Sequence, residues 1–209
     1  MTKISDQMIQ EALAPYGVAV TSDLCERIRI YVSLLLRWNQ KISLTTVTNH
    51  LKILQFHFGE SFFAASKLPM VNSRLADVGS GAGFPGLPIH LISHDLEVVL
   101  IESNAKKSAF LSEVAREPNL DHVTVINERM ETLANEIPMF DFIVARALGQ
   151  HDKFLGWASS RLKPDGMVVL WLGEDDASVV SDIPGWKWRE PLKLPLSERR
   201  VILVGSKDS

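Results

Sequence analysis

Thiol chemistry is almost missing from this chain, which has a single cysteine, Cys25, in 209 residues. One thiol closes no internal disulfide and cannot build the multi-thiolate sites of structural zinc or iron–sulfur clusters. It reads as a small buried side chain on a helix, the usual fate of a free cysteine. The six histidines show no paired ligand spacing, so no metal is expected. Long apolar runs are missing too. Met1 to Gly17 alternates polar and apolar residues, and no later stretch approaches the roughly 20 apolar residues of a membrane helix. Neither a signal peptide nor a membrane partner is expected, and the predicted location is the cytoplasm. Nor is there an excess of positive charge, since 22 Lys and Arg face 25 Asp and Glu for a net charge of −3. That excludes a protein coated in positive charge, but a nucleic-acid enzyme needs only one basic face.

What is present is ordinary globular material. With 46% hydrophobic and 22% charged residues, the chain can build one sizeable core and a small appendage. Two stretches with different rhythms are predicted. Residues 1–68 read as a helical extension packed on the main domain, with Ser5 and Thr21 or Ser22 as N-caps and Gly17 ending the first helix. Leu24, Ile28, Tyr31, Leu35 and Trp38 recur at steps of four and three, the mark of one buried helical face. Residues 69–209 change to short apolar runs separated by helical segments, the rhythm of a parallel sheet with crossover helices. The runs are Leu75 to Val78, Val98 to Ile101, Val123 to Ile126, Phe142 to Ala145 and Val168 to Trp171. Helices are predicted at Leu87 to Ile92, after an Asn104 cap with Ala109, Phe110, Leu111, Val114 and Ala115 inward, over Glu128 to Glu136, and over His151 to Leu162. Trp186 to Leu194 and Arg200 to Gly205, joined by Pro195-Leu196-Ser197-Glu198, read as an antiparallel hairpin. The fold class is α/β, mostly parallel with a reversed C-terminal end.

The chemistry concentrates in Asp77-Val78-Gly79-Ser80-Gly81-Ala82-Gly83-Phe84-Pro85-Gly86. This run follows the first strand and opens a helix, so its backbone can turn sharply and present amide N–H groups to a ligand. Gly81, Gly83 and Gly86 also satisfy the dinucleotide pattern G-x-G-x-x-G, which is weak by itself. Two details favour S-adenosylmethionine over a nicotinamide dinucleotide. Asp77 stands before the first glycine, where a carboxylate can orient loop amides and accept the cofactor's ammonium but would repel a pyrophosphate; Gly79 starts the turn earlier than that pattern does. Glu102 ends the second run, 102 − 77 = 25 positions after Asp77, where an acid accepts hydrogen bonds from ribose hydroxyls. Both cofactors carry ribose, so Glu102 supports an adenosine-type ligand without choosing between them.

Asp77 to Gly86, together with Arg37-Trp38-Asn39-Gln40-Lys41-Ile42-Ser43-Leu44-Thr45 and Val144-Ala145-Arg146-Ala147, resembles the ribosomal RNA small subunit methyltransferase G family, formerly glucose-inhibited division protein B. The likeness covers most of the chain. It implies a Rossmann-like class I methyltransferase fold with an N-terminal helical extension, S-adenosylmethionine as cofactor, and methylation of N7 of one guanine in 16S rRNA, on the small ribosomal subunit or an assembly intermediate, by a monomer. It places Gly79 and Phe84 against the cofactor, Met130 and Glu131 beside the adenine ring, and Arg146 at the active-site face as catalytic or cofactor-binding residue. The chain departs from the family pattern at Ser43, at Ala145, at Leu172 where a lysine is usual, and in His57-Phe58-Gly59-Glu60-Ser61. Guanine N7 offers a lone pair and no proton, so its methylation needs alignment and desolvation but no strong base. Trp157, Trp171, Trp186 and Trp188 could stack on a base but read as core anchors.

Overall fold

The computed structural model describes residues 4–118, 120–134 and 137–208. The first helix, α1 (Asp6–Leu13), starts where Ser5 Oγ accepts from the Met8 amide at 3.1 Å. A 3₁₀ turn (Ala14–Tyr16) follows and stops at Gly17 in the left-handed region. Next, α2 (Ser22–Asn39) is capped by Thr21 Oγ1, which accepts from the Leu24 amide at 3.1 Å. Leu24, Ile28, Tyr31 and Leu35 are buried along it, while Trp38 is partly buried and its Nε1 donates to Glu113 Oε2 at 2.7 Å. The short α3 (His50–Lys52) runs into a π-helical segment, Ile53–Gly59, and then α4 (Glu60–Lys67).

Strands and helices then alternate: β1 (Arg74–Val78), α5 (Gly86–Ile92), β2 (Glu97–Ile101), α6 (Ala105–Arg116), β3 (Val123–Ile126), β4 (Phe140–Arg146), α7 (His151–Arg161), β5 (Leu162–Gly173) and α8 (Glu174–Ser181). The chain closes with β6 (Trp186–Trp188), β7 (Leu192–Lys193) and β8 (Arg200–Lys207). The sheet order is β3-β2-β1-β4-β5-β8-β6, with β7 also pairing β8. The first five strands are mutually parallel, and β8 runs antiparallel to β5, β6 and β7. Parallel strands covered on both faces are apolar on both, and the alternation sorts them into two cores. Leu75, Leu100 and Val144 face α2, α5, α6 and the N-terminal helices, whereas Ala76, Ile101 and Ala145 face α7 and α8.

Four expectations change. Glu128 to Glu136 is not a helix: a single 3₁₀ turn forms at Met130–Thr132, and residues 135 and 136 lie outside the described residues. Ala109 on α6 is exposed, because the buried stripe runs through Ser108, Phe110, Leu111 and Val114. Leu162 opens β5 and does not end α7. Trp186 to Leu194 is two short strands, interrupted around Pro191, whose ring has no N–H to give a ladder. Among the described residues no helix is long and apolar enough to cross a membrane.

Candidate active site

Strand order reverses at β1: the chain moves from β1 outward to β2 and β3, then returns to β4 on the other side. Open α/β sheets bind ligands at the carboxyl ends of strands beside such a switch point. Two adjoining hollows lie there. The first, about 350 Å³, is lined by Gly79 after β1, Ser103 after β2, Glu128 to Glu131 after β3, and Leu148 to Gln150 after β4. The second, about 480 Å³, is lined by Arg146, Ala147, Leu148, Gly149, Trp171, Leu172 and Asp176, with Glu60 and Arg200. Leu148 and Gly149 belong to both, so one short turn separates them. That turn holds Ala147 and Gln150 at positive φ (52° and 58°), backbone strain of about 1 kcal/mol each that clusters where geometry serves a site.

The glycine turn is built inward. Gly79 N and Ser80 N donate to Ile101 O, Gly83 N donates to Ser80 O at 2.6 Å, and Gly81 N donates to Glu102 Oε2 at 2.9 Å. Gly86 N donates to Asp77 Oδ2 at 2.8 Å. The loop therefore does not hold these amides ready for a ligand, which corrects the expected amide cradle. Its glycines serve close approach instead. Gly79 (φ 70°) sits in the wall of the first hollow, where a Cβ would come 3.3 Å from Leu148 Cδ1. A Cβ on Gly83 would strike Tyr31 Oη and lie 2.6 Å from Leu87 Cδ1.

Asp77 is fully buried, and its Oδ1 has no hydrogen-bond partner among the described residues. Burial pushes its carboxyl up to about 7; the Gly86 amide lowers it and Glu102 raises it. Glu102 Oε1 accepts from Asn104 N at 2.8 Å, so this carboxylate ties the loop to the cap of α6. Phe84 is buried away from both hollows, its ring stacked on Tyr31 (5.2 Å, 5°) and on His57 (4.5 Å, 20°). Of the residues named from sequence for the cofactor, Gly79, Met130 and Glu131 line the first hollow, Glu102 lies between Ile101 and Ser103, which also line it, Asp77, Gly81, Gly83 and Phe84 are not in its lining, and Arg146 lines the second.

The second hollow rests on ions. Glu60 is 1% exposed; its Oε2 pairs with Arg146 Nη2 at 3.2 Å and its Oε1 with Arg200 Nη2 at 2.7 Å. Arg146 (19% exposed) also donates to Phe56 O at 2.7 Å, and the Arg200 guanidinium (35% exposed) lies 4.6 Å from the Phe56 ring centre. Burial pushes the Glu60 carboxyl up while both guanidinium groups pull it down. Burial first, then Arg146 and Arg200, lowers His57 to about 3, so that its ring stays neutral at physiological pH. Arg146 is thus an ion-pair partner as well as a wall of the hollow. Glu60 and Arg200 were missed from the sequence because they are 140 positions apart and no local pattern joins them. Of the tryptophans, Trp171 lines this hollow, although its Nε1 is buried without a partner.

A parallel sheet with a glycine turn after β1, an acid closing β2 and hollows at the switch point defines an S-adenosylmethionine-dependent methyltransferase of Rossmann-like fold. Solved structures share this architecture: an S-adenosylmethionine-dependent methyltransferase from Aquifex aeolicus superposes with a TM-score of 0.61 at 14% identity, over 75% of this chain and 93% of that one. The glycopeptide N-methyltransferase MtfA, solved with S-adenosylmethionine, gives 0.62 at 13% identity, over 73% and 88%. Residues 24–181 match the GidB family, rRNA small subunit methyltransferase G. Ribosomal RNA small subunit methyltransferase G of Geobacter sp. (strain M21) is 33% identical over 86% of this chain and 83% of its own. That of Polynucleobacter asymbioticus is 30% identical over 96% of each. The chain belongs to the rRNA small subunit methyltransferase G family. Its cofactor is S-adenosylmethionine, which removes the nicotinamide alternative.

Proposed function

We propose that this protein transfers a methyl group to N7 of a guanine in 16S rRNA, acting in the cytoplasm as a monomer on the small subunit or an assembly intermediate. The observation that carries the reading is the pair of adjoining hollows divided by Leu148 and Gly149: one holds a cofactor, the other an acceptor base, with a single thin wall between them. The names of the relatives supply the RNA.

The first hollow fits S-adenosylmethionine. Its volume is within the range of roughly 300–1,000 Å³ usual for small-molecule sites, and Gly79 leaves backbone where a side chain would stand. In this reading residues 69–209 carry the cofactor and residues 1–68 brace it. Met130 and Glu131 flank the adenine, Glu102 with neighbouring Ser103 takes the ribose, and Gly79 and Gly81 pass beneath the methionine portion. Asp77, Gly83 and Phe84 act from behind, holding the loop; Asp77 serves the ammonium only through it. The cofactor supplies a methyl group on a positively charged sulfur. The chain has to bring N7 into line with that methyl and keep water away, since N7 carries no proton to remove. Arg146, fixed by Glu60 and the Phe56 carbonyl, presents a guanidinium to the acceptor.

N7 is a major-groove atom, and the A-form major groove is too deep and narrow to enter, so the target guanine lies in a loop, bulge or partly assembled region. A second reading, another RNA or a small molecule as acceptor, rests on Leu172, which puts an apolar side chain in the second hollow where the family carries lysine. The test offers labelled S-adenosylmethionine with intact small subunits, naked rRNA and tRNA, and maps any modified base. N7-methylguanosine in 16S rRNA is the expected product. Methylation of tRNA alone would support the second reading, and cofactor binding without transfer to any of them would make this a non-catalytic binding module.

A further inference from the structure

The geometry points to Asp176 as the residue that reads the target base as guanine. This rests on the second hollow being the acceptor site. Two carboxylates line that hollow, Glu60 and Asp176. Glu60 is buried and occupied by Arg146 and Arg200. Asp176 is exposed, and among the described residues no cation pairs with it; its neighbours Glu174 and Asp175 are the ones engaged, by Lys193 and Arg199. Among the described residues, Asp176 is thus the one carboxylate of the hollow without a cation partner.

Its position matches the far edge of a purine. The wall shared with the cofactor hollow comes from the turn after β4, whereas Leu172, Gly173 and Asp176 come from the junction of β5 with α8. In the sheet β5 lies two strands beyond β1, about 10 Å from it. A guanine with N7 toward the cofactor turns its N1–H and exocyclic N2 amine the other way, toward that junction. Both are donors, and a carboxylate accepts from the two together as a charge-assisted pair. Adenine places an acceptor at N1 and no amine at C2, so the same carboxylate would repel it. On the near side Arg146 is a donor suited to O6. Arg200, opposite Gly173 on β8, is the cation at the far end and is held by Glu60, which leaves Asp176 as the carboxylate there to meet the donors of guanine.

Inosine isolates the contact, because it keeps N7, O6 and N1–H and lacks only the N2 amine. Small subunits are reconstituted with rRNA carrying guanosine or inosine at the mapped position, and kcat/KM is measured for the wild type, Asp176→Asn and Asp176→Ala. The wild type should prefer guanosine about tenfold or more, the factor for one hydrogen bond to a charged group. Both variants should lose transfer to guanosine by a similar factor and bring the ratio to within about twofold, with thermal melting and S-adenosylmethionine affinity unchanged. A wild-type preference retained in Asp176→Asn, or its absence in the wild type, overturns the assignment while leaving the methyltransferase reading intact. No transfer to guanosine subunits by the wild type removes that reading, and this inference with it.

Discussion

The two hollows are built by different means. One side of the first is local: the turn after β1, the end of β2 and the cap of α6 are joined by backbone hydrogen bonds and one carboxylate, Glu102, within 28 positions (Asp77 to Asn104), and the loops after β3 and β4 complete the wall. The second is assembled from the whole chain, since Glu60 of the N-terminal helices, Arg146 of β4 and Arg200 of β8 meet only in three dimensions. Glycines permit the turn on one side of the first hollow. The second hollow is held by a long-range ion cluster.

The largest effect should come from breaking that cluster. Glu60→Ala strands two guanidinium groups around a vacated carboxylate site, and losing one partner of a buried pair costs about 3–5 kcal/mol, toward the lower end because both arginines keep some water. Urea unfolding is the measurement. A loss under 1 kcal/mol would show that the cluster is not what holds the second hollow.

On the cofactor side the corresponding charge is Asp77, and its signature is a pH dependence. Its folded value of about 7 lies above the 3.8 of an ordinary aspartate carboxyl. The contribution of Asp77 to stability is therefore fully present below about 4 and is lost as pH rises toward 7, where the unfolded chain ionises and the fold resists. About 2–4 kcal/mol should disappear over that window. In Asp77→Asn that loss should vanish, so urea midpoints of variant and wild type diverge as pH is raised from 4 to 7. Parallel profiles would mean that Asp77 is ionised at its ordinary value in the fold.

Steric fit gives a smaller contrast between two glycines of similar φ. Gly83→Ala meets Tyr31 and Leu87, whereas Gly17→Ala meets nothing within 4 Å. Both incur the left-handed strain of about 1 kcal/mol, and only Gly83→Ala adds about 1–2 kcal/mol of overpacking. Equal melting temperatures would show that Tyr31 and Leu87 yield freely.

The same contrast explains what could be read beforehand. Five parallel strands, the Ser5, Thr21 and Asn104 caps, and the glycine turn were legible because each depends on residues within a few positions. The resemblance put Phe84 against the cofactor; what no local pattern showed is that its ring stacks on Tyr31 and His57, 53 and 27 positions earlier. The helix expected over Glu128 to Glu136 is replaced by a single 3₁₀ turn, Met130–Thr132, that sets Met130 and Glu131 on the wall of the first hollow, a placement no local periodicity reveals. Arg146 was legible at the end of β4, where it lines the second hollow; its fixing by Glu60 and Phe56 was not, and Arg200 carried no local signal.

In the proposed function Arg146 belongs to the acceptor hollow and Glu102 to the cofactor hollow. Calorimetric titration of S-adenosylmethionine into Glu102→Ala and Arg146→Ala tests it in one comparison. Glu102→Ala should weaken binding by about 1.5–3 kcal/mol, the range for hydrogen bonds to a charged group, while Arg146→Ala binds as the wild type does. Weakened binding in Arg146→Ala, with Glu102→Ala unaffected and both proteins folded, would contradict the division between the two hollows.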